Sequence, residues 1–209
     1  MFNGAKAFNQ DLGSWNTSNI LDMRGMFQLA ESFDQDLSQW DVSNLKDIRW
    51  MFNGATSFNS DLGSWATSNV ETMVAAFQQA HAFDGNVTRW DTSNVVDTSW
   101  MFFNATAFNQ NLALWDVGQV TNMRSMFNRA ISFDQDISSW NISNVNNMDF
   151  MFTGAESFRR DVCDWGSQLL SNTSVVAIFR ESQCPTQGRP NFASNPPGPF
   201  CVQCFGSVN

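Results

Sequence analysis

The chain repeats itself every 25 residues, and no other feature limits its fold as strongly. Phe stands at 2, 27, 52, 77, 102, 127 and 152, and again at 8, 33, 58, 83, 108, 133 and 158. Trp follows at 15, 40, 65, 90, 115, 140 and 165, and Ala at 5, 30, 55, 80, 105, 130 and 155. Seven copies run without an insertion. A unit this short cannot bury its own apolar face and must stack on its neighbours, so the expected architecture is a solenoid.

Within a unit, the spacing Leu12, Trp15, Thr17 (Leu37, Trp40, Val42 in the next copy) ends in a period-2 step. That step predicts a short strand whose inward residues stack rung on rung. A Ser-Asn pair follows, as at Ser18–Asn19 and Ser43–Asn44, then V-x-x-M-x-x-M-F-x-x-A. In one copy Leu45, Ile48, Met51, Phe52 and Ala55 fall on one helical stripe. The Ser or Asn is expected to cap that helix, with Asp22, Asp47 or Asp97 in its first turn. Each rung is thus expected to run strand, turn, short helix and return loop, an α/β solenoid over residues 1–165. An Asn at one rung position is expected to bond the neighbouring rung's backbone and so form a ladder.

Units of the form MFxGAxxFNQDLxxWDxSNVxxM resemble the BspA-like surface-protein repeats, a divergent class of leucine-rich repeat. Ala76 and Thr98 depart from it where other copies carry Met. The resemblance implies a leucine-rich-repeat-like stack on secreted or cell-surface proteins, adhesion or binding as the work, and no enzymatic activity.

After Trp165 the period slips, and Val175, Ile178 and Phe179 are expected to form an eighth, distorted turn. Residues 166–209 become rich in Pro, Gly, Ser and Asn, as a cap over an open solenoid end should be. All four cysteines, Cys163, Cys184, Cys201 and Cys204, lie in this last quarter. Two readings are open: two disulfides, or a four-Cys zinc site using the C-x-x-C at 201–204. Zinc ribbons usually carry two such pairs and here there is one, so disulfides and an oxidising compartment are favoured, in any of three pairings. No metal or other cofactor is expected. Met1 stands in mid-rung without a basic-then-apolar leader, the expectation for part of a longer or processed chain.

Five N-x-S/T sequons, at Asn16, Asn86, Asn104, Asn141 and Asn172, are candidate glycosylation sites. A second period of 50 overlies the first: Gly25, Trp50, Ala75, Trp100, Ser125 and Phe150 alternate small with aromatic. On a helical wheel this position lies opposite the Met/Phe stripe, so Trp50, Trp100 and Phe150 are expected to form an exposed row. Mutual packing, a protein interface and sugar stacking are three readings of it. Asp11, Asp36, Asp61, Asp136 and Asp161 share one register, with Asn86 and Asn111. They either accept backbone N–H bonds in their own turns or bridge calcium between rungs; the first is favoured.

Acids outnumber Lys and Arg by 20 to 11, for a net charge of −9, which argues against a nucleic-acid partner. No apolar run is long enough for a transmembrane segment. The single His81 stands at a variable position and no catalytic constellation gathers round it. The expected function is a non-enzymatic, extracellular or cell-surface recognition or adhesion module for protein or glycan. The alternative is a structural subunit packing against copies of itself through its N-terminal end and aromatic row.

Overall fold

The computed structural model describes residues 1–191, 193 and 198–202. Among them the 25-residue stack is present, but its rungs are neither strand nor α-helix. The only helix among the described residues is one 3-10 turn, Cys163–Ser167. Pairing between rungs appears as isolated parallel bridges in a line, Asp22 to Asp47, Asp47 to Thr72, Thr72 to Asp97, and on to Ser174. The strand–helix, leucine-rich-repeat-like rung expected from the sequence is therefore corrected to a rung built of consecutive turns.

The backbone shows why. In each unit two residues four apart hold positive φ: Trp50 (56°) and Gly54 (71°), Ala75 (54°) and Gln79 (58°), Ser125 (54°) and Arg129 (58°). A left-handed residue cannot continue a right-handed helix. The amides divide accordingly. Ile48, Trp50, Phe52 and Gly54 donate to the next rung, at the carbonyls of Thr72, Val74, Ala76 and Gln78. Between them Met51, Asn53 and Ala55 close turns on Ile48, Trp50 and Phe52. An α-helix would send all of these donors to carbonyls four residues back. Here three close the rung's own turns and four tie it to its neighbour. The expected strand is likewise a turn, closed by Trp40 N–H to the Leu37 carbonyl and Leu45 N–H to the Val42 carbonyl.

The inward residues are those the periodicity picked out. Leu45, Ile48, Met51, Phe52 and Ala55 are all buried, as are Leu37, Trp40 and Val42. The Phe rings form two parallel piles: Phe52 lies 4.0 Å from Phe58 in its own rung and 5.5 and 5.4 Å from Phe27 and Phe77 in the adjacent ones. Offset stacking at this spacing adds to the burial of each ring. The Trp pile is wider, with Trp65 to Trp90 at 6.0 Å. Its indole N–H groups are satisfied in register: Trp40, Trp65, Trp90, Trp115 and Trp140 each donate, at 3.0 Å, to the carbonyl 28 residues earlier. Trp165, inside the 3-10 turn, breaks the series, and its buried Nε1 has no acceptor among the described residues. Inward Thr17, Thr67 and Thr92 donate their hydroxyls to the next rung's carbonyls at Asp41, Asp91 and Asp116.

The expected asparagine ladder is present. Asn44, Asn69 and Asn94 donate Nδ2 to the carbonyls of Ser18, Ser43 and Ser68, and Asn144 reaches Gly118. The caps expected there have no helix to serve. Asp22, Asp47 and Asp97 instead accept the N–H two residues on, closing small side-chain turns. Beyond Trp165 the core carries on through Val175, Ile178 and Phe179, all fully buried, with Phe179 stacked on Phe152 at 5.7 Å. Phe200 and Cys201 then close over this end.

Candidate functional site

The position that alternates small and aromatic is one of the two left-handed positions of the rung. Trp50, Trp100 and Phe150 hold φ of 56°, 61° and 59°. Gly25 occupies the same place at 54° without a side-chain penalty. For a bulky L-residue that conformation costs about 1–2 kcal/mol, so each ring must offset it through its contacts. The small members Gly25, Ala75 and Ser125 are buried, while the aromatics are half-buried or exposed. The row lies along the stack as expected, though on a turn ribbon and not on a helix.

The three rings do not share one environment. Trp100 packs at 5.1 Å on Phe103 and at 5.9 Å on the Arg124 guanidinium, which also sits 5.1 Å from Phe150. Arg124 thus fills the gap between two rings on alternate rungs, and Asp149 holds it from the next rung at 3.3 Å. This half of the row packs on itself through a cation between aromatic faces. Trp50 is different. It is 40% exposed, and Arg49, at 5.8 Å, is its one charged or aromatic ring partner among the described residues. Its indole walls a groove of about 530 Å³ together with Asn3, Asp22, Arg24, Gly25 and Gln28.

The acidic register behaves as turn chemistry. Asp11, Asp36, Asp61, Asp136 and Asp161 each accept the backbone N–H two residues on, as do Asn86 and Asn111. The Ser38 amide and then its hydroxyl hold the Asp36 carboxyl below its usual range, and Ser138 does the same for Asp136. The Ser43 and Ser93 hydroxyls, followed by their amides, lower Asp41 and Asp91. At the groove Arg24 lowers Asp22 mainly through its side-chain bond.

The sequon asparagines occupy different settings. Asn16 and Asn141 are exposed and Asn86 is half-buried; each accepts from the amide and hydroxyl of the residue two places on. Half-buried Asn104 has Nδ2 3.0 Å from Nε2 of the exposed His81. Asn172 is exposed, beside a buried Thr173. Cys184 and Cys201 are joined as a disulfide and Cys163 is also disulfide-bonded, which removes the four-thiolate zinc reading. Cys204 lies outside the described residues.

Two features of this surface escaped sequence reasoning. Arg124 shares one repeat position with Arg24 and Arg49, and nothing in that spacing places it between Trp100 and Phe150. Asn9, Asp34, Asn59, Asp84, Asn109 and Asp134 also alternate along the chain, and the spacing alone assigns them no role. Each of these oxygens accepts the backbone N–H of the next rung, from Asp34 through to Arg159. Alternating Asn with Asp keeps carboxylates out of adjacent rungs, where like charges would repel.

Two overlapping stretches of the chain, residues 1–90 and 72–188, match the family described as Mycoplasma protein of unknown function, DUF285. No curated protein and no solved structure matches the chain. Among the described residues no helix is long and apolar enough to cross a membrane.

Proposed function

Starting from a chain that belongs to the DUF285 family, whose function is unknown, we propose that it is a non-enzymatic recognition module of the BspA-like kind, working outside the cell or on its surface. Its work is to present a rigid repeat surface to a protein or glycan. One observation carries this reading: backbone and side-chain bonds run from rung to rung along the stack, so exposed positions are held at fixed spacing. The Asn/Asp series, the Asn-to-carbonyl series and the turn amides all cross between rungs. A surface held in this way loses little conformational freedom when it binds. Residues that face outward meanwhile vary freely, as at Lys6, Glu31, Thr56, His81, Thr106 and Ile131. The Cys184–Cys201 disulfide suits an oxidising compartment.

The test is labelling of intact cells that make the native protein with an impermeant biotin reagent, followed by thiol alkylation without reduction. Biotinylated protein whose Cys184 and Cys201 stay unalkylated supports the reading. Protein labelled only after lysis, with both thiols alkylated, contradicts it. Recognition itself is read as saturable binding of the labelled chain to intact cells, displaced by unlabelled chain.

A further inference from the structure

We infer that the groove walled by Trp50 is a binding site for a neutral sugar ring. This rests on the surface-recognition reading and narrows its ligand. The aromatic row divides in two: Trp100 and Phe150 spend their faces on Arg124 and Phe103, whereas Trp50 has Arg49 as its one cationic or aromatic ring partner among the described residues and keeps a partly exposed ring. That ring is held in a left-handed conformation which glycine occupies at the equivalent Gly25, so the fold itself does not require an aromatic there.

Gly25 forms the groove floor between Asn3 and Trp50. A Cβ built on it would come within 3.1 Å of Gln28 Oε1, so the absent side chain keeps the floor open. The groove, of about 530 Å³, is a shallow depression open to solvent, which suits one face of a ring and not an enclosed ligand.

The charges around it cancel locally. Arg24 pairs with Asp22 at 2.6 Å and reaches Asp47 at 3.5 Å, and Arg49 pairs with Asp47 at 2.6 Å. Two acids and two bases thus neutralise one another beside the indole, which suits neither a polyanion nor a cation. The remaining polar groups are planar amides: Asn3 Nδ2 donates to Gln28 Oε1 at 2.9 Å, a bond that uses neither Asn3 Oδ1 nor Gln28 Nε2. An aromatic face beside an acceptor, a donor and a paired guanidinium is the complement of a pyranose. The C–H face of such a ring stacks on the indole while its hydroxyls meet the amide and guanidinium edges.

The experiment is an array of neutral and acidic oligosaccharides probed with the full chain, followed by isothermal titration of the best neutral ligand. The expected result is binding of a neutral pyranose oligosaccharide. Trp50→Gly, which places glycine where Gly25 already stands, weakens it at least tenfold with the thermal midpoint retained. Gln28→Ala weakens it several-fold, and Trp100→Ala leaves it within twofold. No neutral ligand on the array, a preference for acidic glycans, or unchanged affinity in both Trp50→Gly and Gln28→Ala would overturn the inference. If the array is empty while the chain still labels on intact cells and binds them saturably, only the sugar site falls. If the chain proves intracellular, the broader reading falls whatever the array shows.

Discussion

Replacing Gln79 with glycine separates a rung of turns from a rung of helix by the sign of the effect. Gln79 is exposed, holds φ of 58°, and uses its backbone N–H for the Phe103 carbonyl of the next rung at 2.7 Å. Its side chain makes no hydrogen bond among the described residues, so little packing is lost. In a left-handed conformation the side chain costs about 1–2 kcal/mol, which glycine removes. Glycine's greater freedom in the unfolded chain returns about 0.5–1 kcal/mol of that. The net expectation is a gain near 0.5–1 kcal/mol, or about 1–4 °C in thermal midpoint for a chain of this length. The neighbouring Gln78 is the control, because its φ is not left-handed and its Oε1 accepts from Asn53 Nδ2 at 2.6 Å. Gln78→Gly is expected to lose about 1–2 kcal/mol. Urea unfolding of both variants, with the slope monitored for altered cooperativity, reads the difference. If Gln79→Gly instead loses about 1 kcal/mol, as glycine does inside an exposed helix, the turn assignment is refuted.

Three further outcomes follow from the ladders and the cap. Asp84→Ala strands the Asn109 N–H that its Oδ1 accepts at 2.8 Å, while Gln110 Nε2 keeps its bond to the Asp84 backbone carbonyl, and is expected to cost about 1–3 kcal/mol in urea unfolding. Asp84→Asn keeps the oxygen, as Asn59 and Asn109 do in the same series, and should stay within about 0.5 kcal/mol. Acid titration tests the turn carboxylates: Asp36, Asp41, Asp91 and Asp136 have folded values below their unfolded ones. Their contribution is complete above the unfolded value near pH 4 and is lost as pH falls through the folded values. The urea midpoint should therefore hold from pH 7 to 5 and drop by pH 3; a decline already under way at pH 6 would contradict this. Cys184→Ser opens a 17-residue separation, a loss of about 3 kcal/mol by loop entropy. Hydrogen exchange should show protection lost at the Thr186 amide, bonded to the Cys201 carbonyl, and kept at the Phe77 amide in the mid-stack.

The stack, its register and its inward residues could be read from the sequence because burial depends on which side chains recur, and Phe27, Phe52 and Phe77 recur without slip. The conformation between them could not. Spacings of three and four residues put Leu45, Ile48, Met51, Phe52 and Ala55 on one side of an α-helix, and consecutive turns with left-handed residues put them there equally well. Hydrophobic spacing records the inward face, while the route of the amides is set by φ. One signal of the true route was present: Gly4, Gly54 and Gly154, with Asn104, share a rung position, and those residues tolerate left-handed backbone best. Leu29, Gln79 and Arg129 at the same position masked it. At the candidate site, the alternation of Trp50, Trp100 and Phe150 was legible, but the division between a packed pair and an open ring was not. That division depends on Arg124 reaching two rungs and Phe103 replacing the polar residue found at Asn53, Gln78 and Asn128.

Alternate turn amides of a rung, such as those of Ile48, Trp50, Phe52 and Gly54, cross to its neighbour. Through-hydrogen-bond NMR coupling from the Trp50 amide nitrogen measures this crossing directly. The fold described here predicts a coupling to the Val74 carbonyl carbon, across the 3.0 Å bond to the next rung. A coupling to the Lys46 carbonyl, four residues back in the same rung, would restore the helix and contradict it.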